Sequence, residues 1–354
     1  MDGIKEFNRI LTKALIRNRR FLLKRPDYLS EFAKISSKMK KQARVRERYG
    51  KEGIVVPPVL IISVTNDCNL SCKGCYACSQ QREKSGEIDI ERIKSVLGEA
   101  VELGVCVVMI AGGEPLMKKG ILDLPLMYPD TLFVMFTNGL LLGAHGELAK
   151  NLVPIISVEG GKEATDERRG EGMYERAMAV MDSLDKKGRL FGASVTLTSA
   201  NYSEVVKTDY LAKLEEKGCR AAFLIEYVPS GEDDFLLCLT DDQKEELRNI
   251  EETLYKKHNM LMVTLPGDEE KYGGCLASGR GFLHISSTGA LEACPFAPYS
   301  DTNIKDMALK EALKSRLLGD IRDNHHLLNE SRGGCALNEN KEWIRSLTAL
   351  TKTP

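Results

Sequence analysis

Four cysteines, Cys68, Cys72, Cys75 and Cys78, fall within the stretch "NDCNLSCKGCYACSQ". A loop can wrap C-x3-C-x2-C spacing around one metal centre, because thiolates are strong ligands for zinc and for iron–sulfur clusters. Three thiolates on a four-iron cubane leave one iron without a protein ligand and therefore open to a substrate. Structural zinc held by all four cysteines is the plainer reading, although zinc sites usually separate two C-x2-C pairs by a longer loop. A second group, Cys275, Gly289 and Cys294 in C-x13-G-x4-C spacing followed by Cys335, stands near the other end. Cys106, Cys219 and Cys238 lie in or beside apolar runs and read as buried free thiols.

Thiols used this way imply a reducing compartment. The N-terminus lacks the apolar core of a signal peptide, and no window reaches the roughly eighteen apolar residues of a membrane span, so a cytoplasmic protein is expected. The chain has 354 residues and a net charge of −1. That balance hides an asymmetry: residues 1–50 hold 15 Lys and Arg against 5 Asp and Glu, about +10, leaving about −11 on the remainder. Helical stripes run through this basic arm, first Phe7, Ile10, Leu11, Ala14, Leu15, Phe21 and Leu22, then, after Pro26, Tyr28, Phe32, Ile35 and Met39. Both stripes packed on the main body is the plain expectation; peripheral contact with a membrane or anionic partner is the alternative. No nucleic-acid partner is expected, since the arm has few aromatics for base stacking.

The elements that must position the cysteines follow. Between about 55 and 230, apolar runs at 59–65, 105–111, 132–137, 154–159, 191–198 and 221–228 alternate with charged helical stretches. Such alternation implies right-handed crossovers and a parallel sheet. Six units point to an α/β fold closing as a partial (β/α)6 TIM-like barrel. Functional groups then belong on the loops after the strands. The unusual residues stand there: the cysteines after the first strand, Gly112, Gly113, Glu114 and Pro115 ("GGEP") after the second, Thr137, Asn138 and Gly139 ("TNG") after the third, and Ser157 and Glu159 at the end of the fourth.

These four elements in this order resemble the radical S-adenosylmethionine (radical SAM) enzymes. The resemblance implies that Cys68, Cys72 and Cys75 hold a [4Fe–4S] cluster whose open iron is chelated by the amino and carboxylate groups of S-adenosylmethionine. Cys78 falls outside the motif, as a bystander or secondary ligand. By the same logic the Gly112–Gly113 backbone approaches the methionine ammonium, Glu114 balances its charge, and Ser157 and Glu159 reach the carboxylate or the ribose. Gly74 departs from the family, many of whose members place an adenine-contacting aromatic before the third cysteine; Tyr76 is the substitute expected here.

Beyond 230 the strand pattern stops, and "TDDQKEELRNIEETLYKKHN" reads as a helix with Thr240 at its N-cap. The division expected is a basic helical arm (1–52), a radical SAM barrel (53–235), a linker helix and loop (236–270), and an auxiliary domain (271–354). The last segment resembles the SPASM or shorter twitch extension, which carries auxiliary iron–sulfur clusters. A full SPASM domain has seven cysteines; aligned on Cys335, the other positions here are His326, Asn329 and Glu339. One auxiliary cluster on Cys275, Cys294 and Cys335, with His326 or an exogenous group as fourth ligand or with the fourth iron open to substrate, is the expectation, against a degenerate domain with no cluster.

The activity implied is reductive cleavage of S-adenosylmethionine, with electrons from a flavodoxin or ferredoxin, and hydrogen abstraction from a peptide, small molecule or lipid by the 5′-deoxyadenosyl radical. Rival readings are a zinc module and an iron–sulfur scaffold or electron carrier.

Overall fold

The computed structural model describes residues 23, 25–80, 86–229, 232–265, 274–328 and 335–351. The first basic stripe, the turn after 229, the loop before Gly274 and Asn329 lie outside them. The second stripe forms helix α1 (Pro26–Lys51), with Pro26 at its first position, where the missing N–H costs nothing.

The core is one sheet of nine strands: β1 (Val59–Ser63), β2 (Val107–Ala111), β3 (Leu132–Thr137), β4 (Leu152–Val158), β5 (Gly192–Leu197), β6 (Ala221–Glu226), β7 (Leu261–Leu265), β8 (Phe282–Ile285) and β9 (Leu291–Glu292). Their order is β7-β6-β5-β4-β3-β2-β1-β8-β9. All neighbours pair in parallel except β8 and β9, an antiparallel pair. The six sequence-predicted strands are present, each within a few residues of its expected bounds. The sheet continues past residue 230, however, correcting the expectation that it stops there. β7 is a short run hidden behind the charged helix Asp241–Lys257, and β8 carries a histidine that interrupts its apolar character. Thr240 does cap that helix, in a reciprocal capping box with Gln243.

Alternation along the strands separates two faces. Leu60, Ile62 and Val64 join Ile93, Val96, Leu97 and Ala100 of helix α2 (Ile90–Leu103) in the core between sheet and helices. The other face curls inward. At the start of its strands Val59, Val107, Val134, Val153, Ile155 and Phe223 bury Tyr28, Ile35 and Met39 of α1, which closes that end of the half-barrel. The Tyr28 hydroxyl accepts from the Leu190 N–H at 3.2 Å, and Arg46 bonds the Gly104 carbonyl and, at 2.9 Å, the Cys106 sulfur. The packed-arm reading therefore holds for residues 26–51. Among the described residues no helix is long and apolar enough to cross a membrane.

Candidate metal centre and cofactor site

At the opposite rim the inward face turns polar, and the loop after β1 carries the cysteines. Glu87 fixes that loop at its start: one carboxylate oxygen accepts from the Asn66 N–H (2.6 Å) and the Thr65 hydroxyl (3.1 Å), while Lys118 approaches the other (3.5 Å). The loop after β2 is then laid on it through two backbone bonds, Gly113 N–H to Thr65 carbonyl and Glu114 N–H to Asp67 carbonyl, both 2.8 Å. These contacts leave no room for side chains. A Cβ on Gly112, whose φ is +126°, would strike the Thr65 carbonyl oxygen, and one on Gly113 would strike that of Asp67. The glycine pair is thus required for seating one loop on the other, a role additional to the ligand approach read from the motif.

Glu114 is only 1% exposed. It is neither a solvated loop acid nor an uncommitted counter-charge. Its carboxylate accepts from the Thr137 hydroxyl (2.7 Å), the Asn138 N–H (2.9 Å) and the Leu116 N–H (3.2 Å), tying "GGEP" to "TNG". Burial pushes its pKa up, and the three donors oppose that shift. Asn138 extends the tie, donating to the Asn69 side chain inside the cysteine loop at 2.7 Å.

The cysteine thiols lie within electrostatic reach of one another. Burial pushes Cys68 and Cys72 above the usual thiol range, with neighbouring thiols adding to it, while Arg169 and Arg168 pull Cys72 back. Cys78 is exposed as a residue, yet burial of its thiol and a hydrogen bond with Cys75 hold it up at about 11. Among the described residues no group of three or more His, Cys, Asp or Glu could hold a metal ion. A cubane takes one thiolate on each of its irons, so three cysteines would leave one iron without a protein ligand.

Glu159, 1% exposed, is also committed. Arg168 bonds it closely, the Arg169 Nε does so at 2.7 Å, and the Thr196 N–H reaches its second oxygen at 3.2 Å. Arg168 also donates to the Gly74 carbonyl at 3.4 Å, and its own carbonyl accepts from Lys73. At the end of helix Lys162–Arg169, Arg168 thus braces the cysteine loop while Arg169 holds Glu159. Sequence reasoning missed them, although "ERRG" just after the fourth strand was a visible signal. Ser157 is half-buried, 3.3 Å from Ser194 across the β4–β5 ladder.

Gly74 has φ +62°, and a Cβ there would lie 2.6 Å from the hydroxyl of Tyr227, the residue after β6. Tyr227 is therefore the aromatic set against this position. Tyr76, the expected substitute, instead meets Phe296 edge-on, with centroids 4.8 Å apart. In the second cysteine group Cys275, Cys294 and Cys335 are all buried. His326 is exposed. Its neighbour His325 lies against Gly274, next to Cys275, and its Nδ1 faces the Arg322 carbonyl at 2.8 Å.

Residues 62–209 match the Radical SAM superfamily. That stretch is a radical SAM domain. Its cofactors are accordingly a [4Fe–4S] cluster and S-adenosylmethionine. This radical SAM protein is 26% identical over 321 residues to an AdoMet-dependent heme synthase of Methanosarcina barkeri, covering 81% of this chain and 89% of the relative. It is 26% identical over 271 residues to the mycofactocin maturase MftC of Mycolicibacterium smegmatis, covering 70% and 66%. Among solved structures, Streptococcus suis SuiB bound to its precursor peptide SuiA superposes with a TM-score of 0.61 at 19% identity, over 83% of this chain and 71% of that one. At that identity the likeness establishes the shared half-barrel fold.

Proposed function

We propose that this protein cleaves S-adenosylmethionine reductively at a cluster held by Cys68, Cys72 and Cys75 and uses the resulting radical to abstract hydrogen from an iron porphyrin or related tetrapyrrole. The observation that carries the first part is the seating of the glycine loop on the cysteine loop, which sets the thiols beside backbone groups able to receive a methionine moiety. The bound cofactors supply a 5′-deoxyadenosyl radical. The chain's own residues bind and orient: Asn138 and Glu114 lock three rim loops together, and Arg168 and Arg169 offset thiolate charge beside Cys72.

The substrate class rests on the relatives. The heme synthase match spans most of both chains, and a pre-heme d1 synthase of Dinoroseobacter shibae matches at 28% identity over 183 residues. A peptide substrate is the second reading, favoured by the maturase match. A second cluster, where one is bound, draws on Cys275, Cys294 and Cys335, with His326 as expected from the sequence or its neighbour His325, whose ring lies against Gly274, as the histidine. A backbone-bonded Nδ1 leaves Nε2 for a metal.

The test is anaerobic reconstitution with iron and sulfide, then 5′-deoxyadenosine formation with dithionite, alone and with iron coproporphyrin III or a maturase precursor peptide. Stimulation by the porphyrin supports the tetrapyrrole reading. Stimulation by the peptide alone replaces it.

A further inference from the structure

Below the rim, the inward face of the half-barrel has an apolar floor that none of the motifs includes. Alternation along β1, β2 and β3 sends Leu60, Ile62, Val108, Ile110, Phe133 and Met135 into the core between sheet and helices. The alternate residues Ile61, Met109 and Phe136 therefore face inward, and each is only half-buried. Their strands are neighbours in the middle of the nine-stranded sheet, where a side chain on the concave side reaches solvent only if the interior is open. Helix α1 closes the start of the strands, so the opening is towards the cysteine loop. Ile61 and Met109 are register partners, and Phe136 stands two residues beyond Val134, the partner of Met109 on β3.

An aromatic pair fixes this floor. The rings of Phe136 and Phe223 meet with centroids 5.2 Å apart and planes at 77°. Their strands β3 and β6 are separated by β4 and β5, about 14 Å in a flat sheet, so the curl of the sheet brings Phe223 across the interior to Phe136. In register between them stand Ile155 and Gly192. A Cβ on Gly192 would lie 2.7 Å from Ile155 Cδ1, so its absence lets Ile155, 1% exposed, fill the ground between the strands. Phe223 is 5% exposed, which leaves Phe136 as the ring open to the interior. The polar border is already bonded: His284, the partner of Ile61 on β8, is held by Ser63 at 2.8 Å and by Glu292 at 2.7 Å. Phe136 lies two residues, about 7 Å along an extended strand, below Asn138, which is tied to the cysteine loop. A molecule resting on the floor is thus under the cofactor site.

An uncharged surface three strands wide, about 10 Å, with one open aromatic ring suits a flat apolar body. It does not suit an extended peptide, whose backbone N–H and C=O groups would lie against it unpaired. We propose that Phe136 is a specificity-determining residue whose ring takes the face of the tetrapyrrole macrocycle, with Ile61 and Met109 continuing the apolar contact and the polar groups of the macrocycle's edge left at the rim. This rests on the tetrapyrrole reading above.

The probe is iron coproporphyrin III, and the readout is its dissociation constant by anaerobic ultrafiltration with the reconstituted full chain and S-adenosylmethionine, without reductant. Saturable binding is expected, weakened about threefold or more in Phe136→Leu and within about twofold of the unmodified protein in Phe136→Tyr, which keeps the ring. Iron content serves as the folding check. Unchanged affinity in Phe136→Leu, or equal weakening in Phe136→Leu and Phe136→Tyr, would overturn the proposal and leave the tetrapyrrole reading standing. Where Phe136→Leu fails to take up iron, Met109→Ser replaces it, with the same loss expected and unchanged affinity overturning the floor. Absence of saturable binding by the unmodified protein overturns the proposal and the tetrapyrrole reading together, and 5′-deoxyadenosine formation then still tests the radical chemistry by itself.

Discussion

Tyr76 and Phe296 meet edge-on at 4.8 Å, and Gln80 donates to the Pro295 carbonyl at 2.6 Å, so the helical turn after Cys75 is packed on the turn after Cys294. The two cysteine groups, nearly two hundred residues apart in sequence, share one interface. An edge-to-face pair contributes about 0.5–1.5 kcal/mol beyond its buried area. A double-mutant cycle of Tyr76→Leu and Phe296→Leu by urea unfolding is expected to give coupling of that size; additive losses would mean the rings merely lie near each other.

Gly113→Ala is expected to disrupt the cofactor site even though the change is a single methyl. The new Cβ meets the backbone carbonyl of Asp67, which cannot rotate away as a side-chain end would. Overpacking of this kind costs about 1–3 kcal/mol, here on the loop that leads into Cys68. Iron per chain after reconstitution should fall by half or more. Full iron content would show that the two loops can separate without consequence.

Glu114 gives a pH signature. Burial raises its folded pKa, so its contribution to stability is fully present below the unfolded carboxylate pKa and is lost as pH rises through the raised folded value. Glu114→Gln removes that decline, but it points an amide at donors from Leu116, Thr137 and Asn138 and should cost about 1–3 kcal/mol near neutrality. Cofactor-free protein unfolded in urea across the acid-to-neutral range tests both effects. A variant with unchanged pH slope would place the dependence elsewhere.

Cys78 should be dispensable. Its thiol, pushed up to about 11 by burial and by Cys75, is expected to react slowly with iodoacetamide in cofactor-free protein until strongly alkaline pH. Cys78→Ala should keep the iron complement of the unmodified protein. Iron loss matching that of Cys75→Ala would make it a full ligand.

Most of the half-barrel and the rim was legible in the sequence because each strand is an apolar run and each unusual residue follows one. The commitments of the rim residues were not. Glu114 and Glu159 read as ligand-facing acids, yet one is held by Thr137 and Asn138 and the other by Arg168 and Arg169, partners brought together only by neighbouring strand ends. His284 was hidden for the same reason: its partners Ser63 and Glu292 are set by the β1–β8 and β8–β9 registers. That His325 rather than His326 lies against Gly274 is a matter of rotation within one short helical turn, which spacing does not encode.

The measurement that bears most directly on the central claim is 5′-deoxyadenosine formed from S-adenosylmethionine and dithionite by the anaerobically reconstituted protein, beside Cys72→Ala. The nucleoside is expected from the unmodified protein, with at least about four irons per chain, and none above background from the variant. Equal formation by Cys72→Ala, or none by the fully iron-loaded unmodified protein, would contradict it.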